Sequence, residues 1–162
     1  AKVTPEVVRR KRATRSVTMA KAALNDGQVL YAVNDLFIGP KTHISARYQI
    51  ALDGRTEHHS SSGIIVSTGI GSTGWFKSCL PVEERNHAVF SRSAPFFEYL
   101  AREALQPMPP ARVQSDEALE IISEMDGEIV ADSDHELSFS FPYGARAILK
   151  LAGERLSVIH EF

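Results

Sequence analysis

The sequence predicts a β-rich domain, between all-β and α+β. Three observations predict it: short alternating or β-branched runs recur along most of the chain, Asp-Gly pairs fall between several of them, and a single stretch shows helical spacing. With 162 residues and 43% hydrophobic content, the chain suits one domain that buries its own core without disulfide or metal staples.

Taken in order, Val17 to Leu24 alternates loosely and leads into Asn25-Asp26-Gly27, residues that tolerate positive φ. Strand, tight turn and a second strand over Gln28 to Ile38 are therefore expected. Ile44 to Leu52, Asp53-Gly54 and Arg55 to Ser60 repeat the hairpin pattern. Gly63 to Val66 is an uninterrupted apolar run, the mark of a strand covered on both faces, and it leads directly into the loop Ser67 to Trp75.

The one clear helix is expected after that loop. Ser93 and Pro95 form a start signal, and Phe97, Leu100, Ala101, Ala104 and Leu105 share a face until Pro107 stops it. Pro107, Pro109 and Pro110 read as a stiff connector. Strands then return at Ala118 to Ser123, Glu128 to Ala131 after Asp126-Gly127, Glu136 to Phe141, Ala145 to Leu151 and Arg155 to His160.

Charge is distributed unevenly behind a net value of -2: residues 1–21 hold seven of the eighteen Lys/Arg against Glu6 alone, so the front is basic and the body acidic. The run Arg9, Arg10, Lys11, Arg12 and Arg15 is a candidate phosphate contact, but no stacking aromatics are interleaved with it, which argues against nucleic acid and for a solvated or partner-facing end. Cys79 is the single cysteine and no basic-then-apolar leader opens the chain, so a reducing, cytoplasmic setting is expected. No apolar run is long enough for a membrane span. The start at Ala1 suggests a piece of something longer.

The loop carries the chemistry. Glycines let backbone N–H groups approach a ligand closely, and Ser67, Thr68, Ser72 and Thr73 add short hydroxyls, a composition suited to a nucleotide or another phosphorylated ligand. A helix starting near Thr73 would add anion affinity. Gly69, Gly71 and Gly74 satisfy G-x-G-x-x-G, but the acidic residue expected about twenty positions on is missing. Trp75 and Phe76 stand where a P-loop needs Lys and Ser/Thr, and Ser72 has Ile70 two places before it where a nucleophile elbow needs glycine. A plain strand-to-helix turn is the competing reading.

Gly63-Ile-Ile-Val-Ser-Thr-Gly-Ile-Gly-Ser-Thr-Gly-Trp75 resembles the strand and Thr-Pro-Thr-Gly-Ser-Thr-Ala-Tyr loop of the NAD kinase family. Ala32 to Gly39 is similar to that family's Asn-Glu strand end, and Met125-Asp-Gly-Glu128 to its Asp-Gly-Gln turn, in the same order. The resemblance covers roughly Val29 to Leu151 and implies the β-sandwich-like C-terminal domain of such a kinase, over residues 1–162 with 1–16 as a basic lead-in. It implies that Asn34 and Asp35 contact the acceptor nucleotide, that Thr73 faces its adenine, and that Gly74, Trp75 and Ser78 line the pocket, with Ser72 among the loop hydroxyls.

The same resemblance implies ATP and Mg2+ as requirements of the full-length enzyme, NAD as acceptor, NADP as product and a homo-oligomer. It assigns no catalytic residue here, because the Gly-Gly-Asp-Gly motif lies in a preceding domain and does not occur in this sequence; the chain alone is expected to be inactive. Gly69 for proline, Ile70 for a small hydroxyl residue, Trp75 for tyrosine, Asp35 for glutamate and Ser62 for aspartate depart from the family pattern. A nucleotide sensor or related small-molecule kinase domain with a non-NAD acceptor is thus a second expectation, and an assembly domain with no ligand a third.

No metal site is expected. His58 and His59 are adjacent and would face opposite sides of a strand, and His43, His87, His135, His160 and Cys79 lack ligand spacing. Asp116, Glu117, Glu120, Glu124, Asp126, Glu128, Asp132 and Asp134 read as a solvated acidic face rather than a calcium loop.

Overall fold

The computed structural model describes residues 3–9, 12–52, 54–86, 89–106 and 108–159; Arg10, Lys11, Asp53, His87, Pro107 and His160, all invoked above, lie outside them. The described residues form α1 (Val3–Val8), β1 (Thr14–Leu24), β2 (Val29–Ala32), β3 (Asp35–Gly39), β4 (Ala46–Leu52), β5 (Arg55–Ser61) and β6 (Ile64–Ser67). A 3-10 turn (Gly71–Thr73) and α2 (Trp75–Cys79) follow, then β7 (Phe96–Ala101), β8 (Ala111–Gln114), β9 (Leu119–Ser123), β10 (Gly127–Ala131), β11 (Asp134–Phe141) and β12 (Arg146–Ile159).

The strands pair into two antiparallel sheets, one ordered β2-β1-β12-β9-β4-β5 and the other β11-β10-β3-β6-β7-β8. Alternation explains how they stack: in β1, Ala20, Ala22 and Leu24 point inward, and in β4, Ala46, Tyr48 and Ile50 do the same. Facing them across the core are Leu36, Ile38, Ile64, Val66, Phe97, Val113 and Ile129 of the second sheet. Burying these two inner faces is the main stabilising term of a sandwich.

β6 is buried on both sides, as its unbroken apolar run predicts. Ile64 and Val66 enter the inter-sheet core, whereas Ile65 packs with Phe76, Leu80 and Leu100 under α2 on the outer face of the second sheet. The loop following β6 is thereby held between a strand with no exposed face and a helix docked on its back.

Four sequence expectations are corrected. The expected helix over 95–105 is strand β7, paired with β6 on one edge and β8 on the other. Its apolar residues suit either period over so short a run. Phe97 and Tyr99 fill the inter-sheet core while Leu100 fills the space under α2, and that alternation, together with two strand edges needing partners, outweighs the helical spacing. Leu105, expected on the helix's apolar face, is 83% exposed.

The single strand expected over 28–38 breaks at Val33–Asn34, where the chain leaves one sheet for the other. Conversely, the two strands expected over 145–151 and 155–160 are one, because β1 pairs along both and absorbs the intervening residues as a register shift between Thr18 and Ala20. The proline connector runs into an unforeseen edge strand, β8, and a short helix, α1, precedes β1, with Glu6 accepting from Arg12 Nε at 2.6 Å.

Phe97 is fully buried. Phe97→Ala is expected to lower the free energy of unfolding by about 3–5 kcal/mol in urea titration; a loss below about 1 kcal/mol would contradict its place between the sheets.

Candidate functional site

The site forms where the chain crosses between sheets. At Val33–Asn34 no strand ladder serves the backbone, so its polar groups need other partners. The Asp132 carboxylate, on the turn between β10 and β11, accepts from the N–H groups of Val33 at 3.0 Å, Asn34 at 2.6 Å and Asp35 at 3.2 Å. From the opposite side Thr68 donates its hydroxyl to the Val33 carbonyl and its N–H to the Asn34 carbonyl, the latter at 2.9 Å.

The glycines of the loop are explained by contact. A Cβ at Gly71 would lie 2.1 Å from the Asn34 carbonyl oxygen, and one at Gly69 would lie 1.9 Å from that of Ser91. The loop is wedged between the crossover and the Ser91–Arg92 segment, and Arg92 in turn accepts from Thr18 of β1. Only a residue without a side chain permits such backbone approach.

The loop hydroxyls are partly committed internally. Ser72 is fully buried, donating to the Gly69 carbonyl at 2.9 Å and accepting from the Phe90 N–H at 3.3 Å. Thr73 and Ser78 are exposed and donate to the carbonyls of Ile70 and Trp75. Gly74 is exposed, while Asn34 and Trp75 are half-buried. The structure thus brings Asn34 and Asp35 against the loop, sets Ser72 inside it, and leaves Thr73, Gly74 and Ser78 on its outer side. The helix expected near Thr73 begins at Trp75 and has five residues, too short for a substantial dipole.

Trp75 packs at 5.4 Å from the Phe37 ring, and the Arg102 guanidinium stands 5.0 Å over its indole. Phe37 and Arg102 also line an open cleft of about 450 Å3 with Lys41, His43, Ser62 and Glu103. The Ser62 hydroxyl donates to the Glu103 carboxylate, so a carboxylate stands beside Ser62 although the residue itself carries none.

Asp35 is the electrostatic anomaly of the site. It is 6% exposed and its Oδ1 has no hydrogen-bond partner within the protein. Burial first, and the Asp132 charge second, push its carboxyl up to about 6 from an ordinary value of 3.8.

Sequence reasoning missed Asp132, Glu103 and Arg102. The solvated acidic face is corrected at Asp132, whose carboxylate binds three N–H groups, whereas Asp116, Asp126 and Asp134 are exposed. A signal was present, since Asp132-Ser133 directly follows an apolar strand, but nothing local ties it to residue 34. His58 and His59 do face opposite sides: His58 is exposed, and His59 stacks on Tyr48 at 6.0 Å. Among the described residues no three His, Cys, Asp or Glu side chains converge on a point suited to a metal, and no helix is long and apolar enough to cross a membrane.

The sequence matches no protein-family model and no curated protein. The structure, however, is similar to yeast NADH kinase complexed with NADH, with a TM-score of 0.81 at 16% identity over 99% of this chain and 48% of that one. It is also similar to an NAD kinase from Archaeoglobus fulgidus in complex with ATP, with a TM-score of 0.74 at 17% identity over 98% of this chain and 59% of that one. The two-sheet fold is therefore one found within NAD kinases, and the chain spans about half the length of the structures it matches.

Two expectations follow. Gly71→Ala should destabilise the protein by about 1–3 kcal/mol or more through overpacking, whereas Gly153→Ala, at a position with open space, should stay within about 0.5 kcal/mol. Thermal and urea unfolding would measure both.

The second concerns pH. A carboxyl whose pKa is higher folded than unfolded holds its proton more tightly in the folded state. Its stabilising contribution is complete below the unfolded value of 3.8 and is lost as pH rises through about 6. Asp35→Asn should therefore match the parent near pH 4 and exceed it by on the order of 2–3 kcal/mol near pH 8, in urea unfolding across that range.

Proposed function

We propose that this chain is the nucleotide-binding domain of an NAD-kinase-like phosphotransferase, in which ATP phosphorylates a ribose hydroxyl of NAD. One observation carries the reading: in a fold shared with NAD kinases, a buried carboxylate oxygen without a partner lies beside Asn34, at a sheet crossover overlaid by a glycine loop. A buried acceptor left unsatisfied is costly, and a ribose hydroxyl is the kind of donor that would satisfy it.

The roles proposed for the residues are those the resemblance implies, and their chemistry supports them. Asn34 offers amide donors and an acceptor to a base or ribose edge, and Asp35 accepts from a hydroxyl. Thr73 faces the adenine and Gly74 lines the pocket beside it, while Trp75 supplies an aromatic face under Arg102, which with Lys41 of the neighbouring cleft is a cation suited to a phosphate. Ser78 extends the lining, and Ser72 shapes the loop from within. Glu103, held by Ser62, brings a carboxylate to the place where the family pattern has an aspartate.

In this reading magnesium and ATP belong to the longer enzyme, where the substrate phosphates share in holding the metal. The activating acid would likewise come from the Gly-Gly-Asp-Gly motif of another domain. Self-association fits strands β2, β5, β8 and β11, which lie at sheet edges. A cytoplasmic setting accords with the NAD-kinase reading.

A second reading, a related kinase or nucleotide sensor with a different acceptor, is favoured by the basic lining of the cleft, Lys41, His43 and Arg102. Trp75 is the only tryptophan, so its fluorescence reports on the site directly. Titration with NAD, NADP, ATP and sugar phosphates is expected to give saturable NAD or NADP binding, weakened at least about tenfold by Asn34→Ala, a typical cost of losing a buried hydrogen bond. Saturation by another nucleotide alone would establish the second reading. Binding unaffected by Asn34→Ala and Thr73→Val would remove the loop from the site.

A further inference from the structure

We propose that Asp132 is a positioning residue of this site: its carboxylate gathers the N–H groups of three consecutive residues, Val33, Asn34 and Asp35, and so fixes how Asn34 and Asp35 are presented. The inference rests on the nucleotide-site reading above and deepens it.

The geometry divides the work between the two carboxylate oxygens. Oδ2 accepts from Val33 at 3.0 Å, and Oδ1 accepts from both Asn34 at 2.6 Å and Asp35 at 3.2 Å. The Asp132 N–H donates back to the Asp35 carbonyl at 2.8 Å, so the turn and the crossover are locked in both directions. With Thr68 holding the carbonyls of Val33 and Asn34, the crossover backbone has little freedom left, and the Asn34 side chain is set on a rigid base.

The carboxylate reaches beyond the hairpin it helps to close, since its three acceptor contacts are all to the crossover. Ala131 pairs with Asp134, so Asp132 and Ser133 form a two-residue connection, and both have positive φ, 53° and 58°. Such turns favour Asn or Asp at the first position and Gly at the second, so Asp132 suits the turn, and Ser133 is less stable there than glycine by roughly 1–2 kcal/mol. Asn would serve the first turn position as well as Asp, but a carboxylate offers two acceptor oxygens where an amide offers one.

The cost falls on Asp35. Among the described residues Asp132 is the one charged group acting on its carboxyl; β6, on its other side, presents Ser67, with Thr68 beyond, and neither is charged. The Asp132 charge raises the proton affinity of the Asp35 carboxyl beyond what burial alone does. The residue that positions the site therefore also helps to set the pH at which Asp35 ionises.

The test uses Asp132→Asn and Asp132→Gly, both compatible with positive φ. It reads NAD affinity by calorimetry near pH 7.5 and the titration midpoint of the Asp35 carboxyl by carbon NMR. Asp132→Asn, which keeps one acceptor oxygen, is expected to fold with a lower melting temperature than the parent, and Asp132→Gly, which leaves the three N–H groups without it, to melt lower still; both are expected to bind NAD roughly tenfold more weakly and to shift the Asp35 midpoint downward. A purely structural role for Asp132 would lower the melting temperature and leave the NAD affinity of the folded protein in place. Unchanged affinity in the folded variants overturns the proposal, as does failure of both variants to fold, which would make Asp132 a determinant of the fold and not of the site. If the parent binds no NAD, the nucleotide reading fails by itself, and the Asp35 midpoint alone decides whether Asp132 sets this group.

Discussion

Five backbone polar groups at the crossover between two sheets, the N–H groups of Val33, Asn34 and Asp35 and the carbonyls of Val33 and Asn34, have to be satisfied without a strand ladder. The rest of the site is arranged around that need. Asp132 takes the donors and Thr68 serves the acceptors. Because Thr68 is the first residue beyond β6, satisfying Asn34 draws the whole loop onto the crossover, and Gly71 has to be glycine for the backbones to meet. One hydrogen-bonding constraint thus accounts for the position of the loop and for its glycines.

The arrangement is held from behind by packing. β6 has no exposed face, being covered by the opposite sheet on one side and by α2 on the other, so the loop leaves from a rigid point and returns to a helix fixed by Phe76 and Leu80. Ser91 and Arg92 close the far side, since Gly69 lies against the Ser91 carbonyl and Arg92 accepts from Thr18. Against that rigid frame Asp35 is the discordant element, a carboxyl buried with one oxygen unpaired and another carboxylate nearby. Local conflicts of this kind collect at functional sites, where the stability lost is offset by the surrounding fold.

Much of the fold was legible. The alternation of β1, β4 and β11, the turns at Asn25-Asp26-Gly27 and Asp126-Gly127, and the doubly buried run of β6 are local patterns, and each was read at nearly its observed place. The order of three motifs along the chain pointed to the NAD kinase fold at a level of identity, 16–17%, where the solved structures match in shape and sequence comparison finds nothing. Asn34, Asp35 and the loop were also singled out, and the structure places them together.

What the sequence determined by itself is therefore the period of each segment, the position of its turns and the composition of its loop, all set by residues a few places apart. The tertiary structure decided the remainder: that Phe96–Ala101 is a strand because β6 and β8 need its edges, that Arg146–Ile159 runs unbroken because β1 pairs along it, and that Asp132 serves a backbone 97 to 99 residues away. The physical reason is the same in each case. Hydrogen-bond satisfaction and core filling are settled between segments distant in sequence, and no local pattern records which partner will arrive.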